Sequence, residues 1–160
     1  MLLVLIWERK LPYGAEMIFN MKKIIENKKV RFEYTILETY EAGIVLTGNE
    51  VKAIHNGHCN LTDTYCYFNN NELFVKNISI SLPIGEPKRE RKLLLKKSQL
   101  NRLKSKLING LTIVPIKIYF NERNLVKVEI VLVQGKKERD KRNTIKERDL
   151  NRDLQKWTNT

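Results

Sequence analysis

Glu38-Thr39-Tyr40-Glu41-Ala42-Gly43-Ile44-Val45-Leu46-Thr47-Gly48-Asn49-Glu50-Val51-Lys52 packs a strand, two glycine breaks and a helix start into one short stretch. Ile44, Val45 and Leu46 form an apolar run of β-branched and aliphatic side chains, the composition of a buried strand. Gly43 and Gly48 flank it, where a chain bulges, turns or lets another backbone come close. Thr47 can cap a helix, Glu50 three residues on can complete a capping box, and Val51 and Ile54 give that helix one apolar face.

Working outward, residues 27–34 lead into a strand through Leu37, for which residues 43–46 make the hairpin partner. The helix from Thr47 should stop at Asn56-Gly57, a left-handed exit. Strands follow at 60–68 and 72–80 around the turn Asn69-Asn70-Asn71, and Pro83, Gly85 and Pro87 punctuate a loop. A second helix is capped by Ser98, packs Leu100, Leu103 and Leu107, and ends at Gly110. Residues 113–120 and 126–133 alternate as paired strands across 121–124, with Pro115 placed at an edge or a bulge. Six strand pieces with two inserted helices and short links predict a mainly β fold. The architecture expected is a small OB-like antiparallel β-barrel with flanking α-helices.

The ends differ from this body. Residues 1–20 carry an apolar run at 2–7 too short for a signal segment or a membrane span, and Met21-Lys22-Lys23 reads as the natural beginning. Residues 21–135 make the barrel domain. Residues 136–160 hold few large apolar side chains among many charges, which predicts a flexible basic tail, disordered or a frayed helix when free. Leu150, Leu154 and Trp157 share helical spacing, so a partner could fold it.

A chain of 160 residues is one domain's length, and its net charge of +12 with a pI near 9.7 calls for a polyanionic partner. The charge is segregated. Residues 22–31, 86–110 and 134–160 are basic, whereas residues 32–85 hold six acids against two lysines. Three basic segments around an acid-leaning body favour RNA; a membrane partner would need a basic amphipathic helix with a bulky apolar face, which is missing. Cys59 and Cys66 do not make a disulfide framework, and their spacing from His55 and His58 matches no usual zinc pattern, so no cofactor is expected. No nucleophile–base set or phosphate loop is present, and Glu38, Glu41 and Glu50 carry no metal-binding pattern. A metal-dependent nuclease is therefore a weaker reading than a non-catalytic RNA-binding protein, of which a structural or assembly protein of ribosomal RNA is one kind. Tyr40, Tyr65, Tyr67, Tyr119 and Phe120 could stack on bases, although most should pack in the core. Glu41 could accept from a guanine edge, a 2′-hydroxyl or a neighbouring cation; equally, it could sit in a local salt bridge.

The opening stretch resembles the signature of the SmpB family, proteins that partner transfer-messenger RNA (tmRNA). The resemblance runs from Asn27 to Asp149 and includes Asn27-Lys28-Lys29, Asn60-Leu61 with Asp63 and Tyr65, Arg89-x-Arg91-Lys92-Leu93-Leu94-Leu95, Gly110-Leu111-Thr112-x-Val114-Pro115 and Gly135-Lys136-Lys137. It implies the same OB-like barrel, with Asn27, Lys28, Lys29, Glu41, Asn60, Arg91, Lys92 and Lys127 at the RNA and Leu94 shaping that surface. It also implies a tail entering the vacant decoding centre of a stalled ribosome, with Gly135, Lys136, Lys137, Arg139, Asp140, Lys141, Arg142, Lys146 and Arg148 as its contacts. The implied partners are the tRNA-like domain of tmRNA and the ribosome, and, through tmRNA, alanyl-tRNA synthetase and elongation factor Tu. The expected protein is cytoplasmic, monomeric and not an enzyme. Two departures stand out: the loop 81–88 is shorter than the family's, and Arg139 precedes Asp140-Lys141-Arg142 where the family commonly has His. A planar guanidinium can still stack and adds charge, but it does not titrate near neutrality.

Overall fold

The computed structural model describes residues 24–107 and 110–158, so the expected extra segment 1–20 lies outside the described residues. In chain order the elements are β1 (Ile25–Glu26), α1 (Lys29–Glu33), β2 (Tyr34–Ile44), α2 (Gly48–His55), β3 (Cys59–Asn60), β4 (Tyr65–Asn69), β5 (Glu72–Lys76), β6 (Ser79–Ile80), β7 (Arg91–Leu94), α3 (Lys97–Lys106), β8 (Thr112–Phe120), β9 (Val126–Gly135) and α4 (Glu138–Thr158). The main sheet runs β1-β8-β4-β5-β7-β2-β9, and a further β8–β9 pairing closes β8 to β9 into a ring that leaves β1 outside it. All pairings are antiparallel, and the ring closes unevenly. β2 and β9 pair along most of their length, whereas β4 meets β8 at the single register pair Cys66↔Ile113. The result is the expected mainly β, barrel-like fold with flanking helices.

Several elements depart from the sequence reading. The hairpin expected between a strand ending at Leu37 and a partner at 43–46 is instead one eleven-residue strand, β2. The chain slips register against β9 between Ile36 and Glu38, a bulge that bends β2 without ending it. Gly43 continues the strand because both neighbours pair with it, Leu94 on one side and Lys127 on the other. The expected strand at 60–68 is broken at Asp63 (φ 57°), and the one at 72–80 at Asn77 (φ 67°), so β3 and β6 leave the ring and pair with each other. Asn70 and Asn71 take φ of 48° and 68°, the two left-handed positions of a tight β4–β5 hairpin turn.

β7 is the strand the basic run concealed. Within Arg91–Leu94, Arg91 and Leu93 point inward while Lys92 is half-buried and Leu94 exposed, a period of two that charge-rich composition masks. α2 follows its sequence: the Thr47 hydroxyl accepts from the Glu50 amide, the Glu50 carboxylate accepts from the Thr47 amide, and Gly57 exits at φ 79°. α3 begins at Lys97, capped by Lys96 rather than Ser98, with the Gln99 side chain accepting from the Lys96 amide.

Two apolar cores result. Ile54, Leu61, Leu73, Leu93, Leu103, Ile118 and Ile130 fill the barrel. Val30, Val114, Ile116, Val131 and Val133 form a smaller core on its outer wall under α1. The register slip between Pro115 and Lys117 moves β8 side chains from one core to the other, so Pro115 does mark a bulge. Residues 138–158 form one helix, in the segment for which the sequence leads to a tail that is disordered or a frayed helix when free. Its Ile145, Leu150 and Leu154 stay exposed, and it is tied to α1: Lys136 Nζ donates to the Arg31 carbonyl at 3.1 Å, and the Arg148 guanidinium lies 5.6 Å from the Phe32 ring.

Candidate nucleic-acid interface

The outer wall of β2, β9, β8 and β7 carries a patch built by register alone. Strand alternation sends Glu41 outward on β2 and Lys127 and Glu129 outward on β9. Cross-strand pairing then sets Glu41 opposite Glu129, which faces Lys117; in the next row Leu94, Gly43, Lys127 and Tyr119 stand side by side. Glu41 is 56% exposed, with Lys127 Nζ at 3.9 Å and the Tyr119 hydroxyl donating to its other oxygen. Partial burial, followed by that hydrogen bond and the charges of Glu41 and Glu129, pushes the Tyr119 phenol up to about 12, so it remains a donor at neutral pH. Two carboxylates opposite each other repel, and Lys117 and Lys127 beside them offset this. The patch thus offers acceptors, an ammonium, a phenol and the half-exposed Leu94 side by side. That combination can read a base edge or a 2′-hydroxyl as well as meet a phosphate.

Glu41, Lys127 and Leu94 therefore come together, and Leu94, expected only to shape the surface, is itself 51% exposed. Arg91 requires a correction. Its guanidinium is wholly buried, donating to Glu50 Oε1 at 3.0 and 2.8 Å and to the carbonyls of Ile78, Pro87 and Arg89. With its donors occupied inside the protein it is a core clamp, not a phosphate contact. Arg89 closes the same clasp from the surface, at 2.7 Å from Glu50 Oε1 and 2.5 Å from Oε2. Burial would raise the Glu50 carboxyl, but hydrogen bonds from Arg89, the Thr47 amide and Arg91 hold it down at about 2.

The other expected contacts are dispersed. Asn27 is structural, its amide donating to the Leu61 carbonyl at 2.9 Å while its oxygen accepts from the Lys29 amide. Lys28 and Lys29 are exposed on the approach to α1, with Lys29 near Glu33 at 3.4 Å. Lys92 is on the outer wall of β7, paired with Glu72 at 2.6 Å. Asn60 holds the following turn by accepting from the Thr62 amide and hydroxyl. Gly135 ends β9 opposite Tyr34, and Lys136 donates its amide to the Glu33 carbonyl. Lys137 accepts the first helical bonds, and Arg139, Asp140, Arg142, Lys146 and Arg148 lie exposed on α4 with Lys141 half-buried.

Sequence reasoning passed over Glu129, Lys117 and Gly43 as members of the patch, although the period-two alternation of 126–133 places Glu129 beside Lys127. It also passed over Glu38, which accepts from Tyr40, Arg102 and Lys106 and thereby ties α3 to β2. The Lys106 bond first, then those of Tyr40 and Arg102, hold its carboxyl down at about 2. Among the described residues no group of three or more His, Cys, Asp and Glu could hold a metal ion. Among the same residues no helix is long and apolar enough to cross a membrane.

Known proteins resemble this chain in sequence and in fold. The family profile described as "SmpB protein" matches residues 24–160. An SsrA-binding protein of Thermosipho africanus is 48% identical over 144 residues, covering 86% of this chain and 97% of its own. One of Agrobacterium fabrum is 44% identical over 148 residues, covering 88% and 92%. A chain from the solved structure described as "tmRNA-SmpB: a journey to the center of the bacterial ribosome" superposes with a TM-score of 0.61 at 45% identity, over 72% of this chain and 85% of that one.

Proposed function

The chain belongs to the SmpB family, and from that premise we propose that it is a non-catalytic adaptor that binds the tRNA-like domain of tmRNA and delivers it to stalled ribosomes in trans-translation. The observation that carries this reading is the outer-wall patch of Glu41, Leu94, Tyr119 and Lys127 on a barrel that matches SsrA-binding relatives along nearly its whole length. Carboxylate and phenol address base edges and ribose hydroxyls, Lys127 addresses phosphate, and Leu94 packs against sugar or base. Lys28 and Lys29 extend the positive surface along the entry to α1. The tail from Gly135, carrying Lys136, Lys137, Arg139, Asp140, Lys141, Arg142, Lys146 and Arg148, occupies the decoding centre and mRNA channel. Alanyl-tRNA synthetase and elongation factor Tu then meet the protein only through tmRNA, and the protein works in the cytoplasm as a monomer.

The deciding experiment compares binding of the isolated tRNA-like domain with an ordinary tRNA near physiological salt. It uses the full chain, Glu41→Ala and a chain ending at Gly135. Preference for the tmRNA piece, weakened about tenfold by Glu41→Ala and untouched by truncation, is expected if the patch recognises RNA and the tail serves the ribosome. Equal, steeply salt-dependent binding to both RNAs would reduce the interaction to counterion release and favour a ribosomal-RNA assembly role.

A further inference from the structure

Away from the outer-wall patch, Asn60, Thr62, Asp63, Asn77, Ser79 and Lys88 line an open polar recess where β3 and β6 meet the loop before β7. Its walls are fixed by bonds among themselves. Asn60 Oδ1 accepts from the amide and hydroxyl of Thr62, and Asn77 Nδ2 donates to the Asp63 carbonyl at 3.3 Å. Asp63 and Asn77 both hold left-handed backbone, at φ of 57° and 67°. Those bonds leave the Asp63 carboxylate and the Lys88 ammonium without an ion-pair partner among the described residues. Most exposed acids near the barrel, including Glu41, Glu72 and Glu90, are paired.

We infer that this recess takes the Watson–Crick edge of an unstacked guanine. A carboxylate accepts from guanine N1–H and N2–H together, and an ammonium or an amide N–H donates to O6. Asp63 supplies the first, and Lys88 or Asn60 Nδ2 the second. Adenine offers the carboxylate one donor on that edge, and uracil offers one between two carbonyls, so both lose the paired contact. No aromatic side chain lines the recess, so the base enters edge-first and its selectivity comes from hydrogen bonding, not from stacking. The inference rests on the RNA-binding reading but concerns a different surface from the Glu41 patch.

The test uses the full chain and follows the side-chain amide signals of Asn60 and Asn77 by NMR during titration with GMP, IMP, AMP and UMP. All four share the ribose and phosphate, so differences among them report the base. The expected result is saturable shifts with GMP, roughly tenfold weaker binding of IMP, which lacks the 2-amino group, and no saturation with AMP or UMP. Asp63→Asn keeps the side-chain shape, tolerates the left-handed backbone and replaces an acceptor with a donor, so it should abolish the GMP response while the remaining amide spectrum is unchanged. Equal shifts with all four nucleotides, a response that survives Asp63→Asn, or no response to any of them would overturn the inference. Binding of the tRNA-like domain is measured on the same samples. Its retention without a GMP response would sink the recess alone, and its loss would sink the broader RNA reading.

Discussion

At Gly43 an added Cβ would meet the Leu94 Cβ at 3.3 Å, closer than ordinary contact, and Leu94 is the apolar member of the proposed RNA surface. Gly43→Val should therefore displace Leu94 and weaken binding to the tRNA-like domain at least as much as Leu94→Ala does, by gel-shift titration. A variant that binds normally would remove Leu94 from the interface. Arg91 illustrates the opposite kind of residue, important for the fold and hidden from any ligand. Arg91→Met leaves the buried Glu50 carboxylate with Arg89 as its one cation beside the Thr47 amide and should cost about 3–5 kcal/mol in urea unfolding. A change below 1 kcal/mol would mean that Arg89 satisfies Glu50 unaided. The same clasp sets an acid limit. Glu50 has its folded value depressed to about 2 from an ordinary 4.5, so its stabilisation is fully present above pH 4.5 and is lost as pH falls toward 2. Glu38, held down chiefly by Lys106, loses its contribution over the same window. Urea midpoints should fall between pH 4.5 and 2.5, and Glu50→Gln should flatten that decline.

Among the elements, α2 was fully legible because a capping box is local chemistry: Thr47, Glu50 and the glycine exit all lie within eleven residues. Thr47→Ala should cost about 1 kcal/mol, seen as a lower thermal midpoint. The β8–β9 hairpin was legible for the same reason, with alternation on both sides of a loop whose Asn121 side chain accepts from Arg123 and Leu125. β7 was not legible, because its inward Arg91 is rendered apolar in effect by a partner 41 positions away. Nor was the unity of β2, since Gly43 reads as a break until β7 and β9 are present to pair with it. The candidate site divides in the same way. Glu41 and Lys127 came from motif likeness, whereas their proximity to Tyr119 and Leu94 depends on a register no local pattern states.

For the whole molecule, the tail 136–160 holds nine of the thirty Lys and Arg against five of the eighteen acids, so it concentrates charge away from the barrel. Truncation after Gly135 should leave the thermal midpoint of the barrel within about 2 °C, because Lys136 on the Arg31 carbonyl and Arg148 over the Phe32 ring are surface contacts. A larger fall would make the helix a part of the barrel's own stability. That geometry also gives the protein a gauge of distance. A 21-residue helix is a rod about 31 Å long, here held at its root by Lys136 and at mid-length by Arg148. The barrel's own thiols interfere little with labelling, since burial pushes Cys59 up to about 11 and Cys66 higher still. Dyes on thiols engineered into the α3 surface and the distal turn of α4 would therefore show whether the protein works as a fixed calliper or as a folding arm. One sharp energy-transfer distance, shared by the free and RNA-bound states, would mean that the barrel itself dictates where the tail arrives.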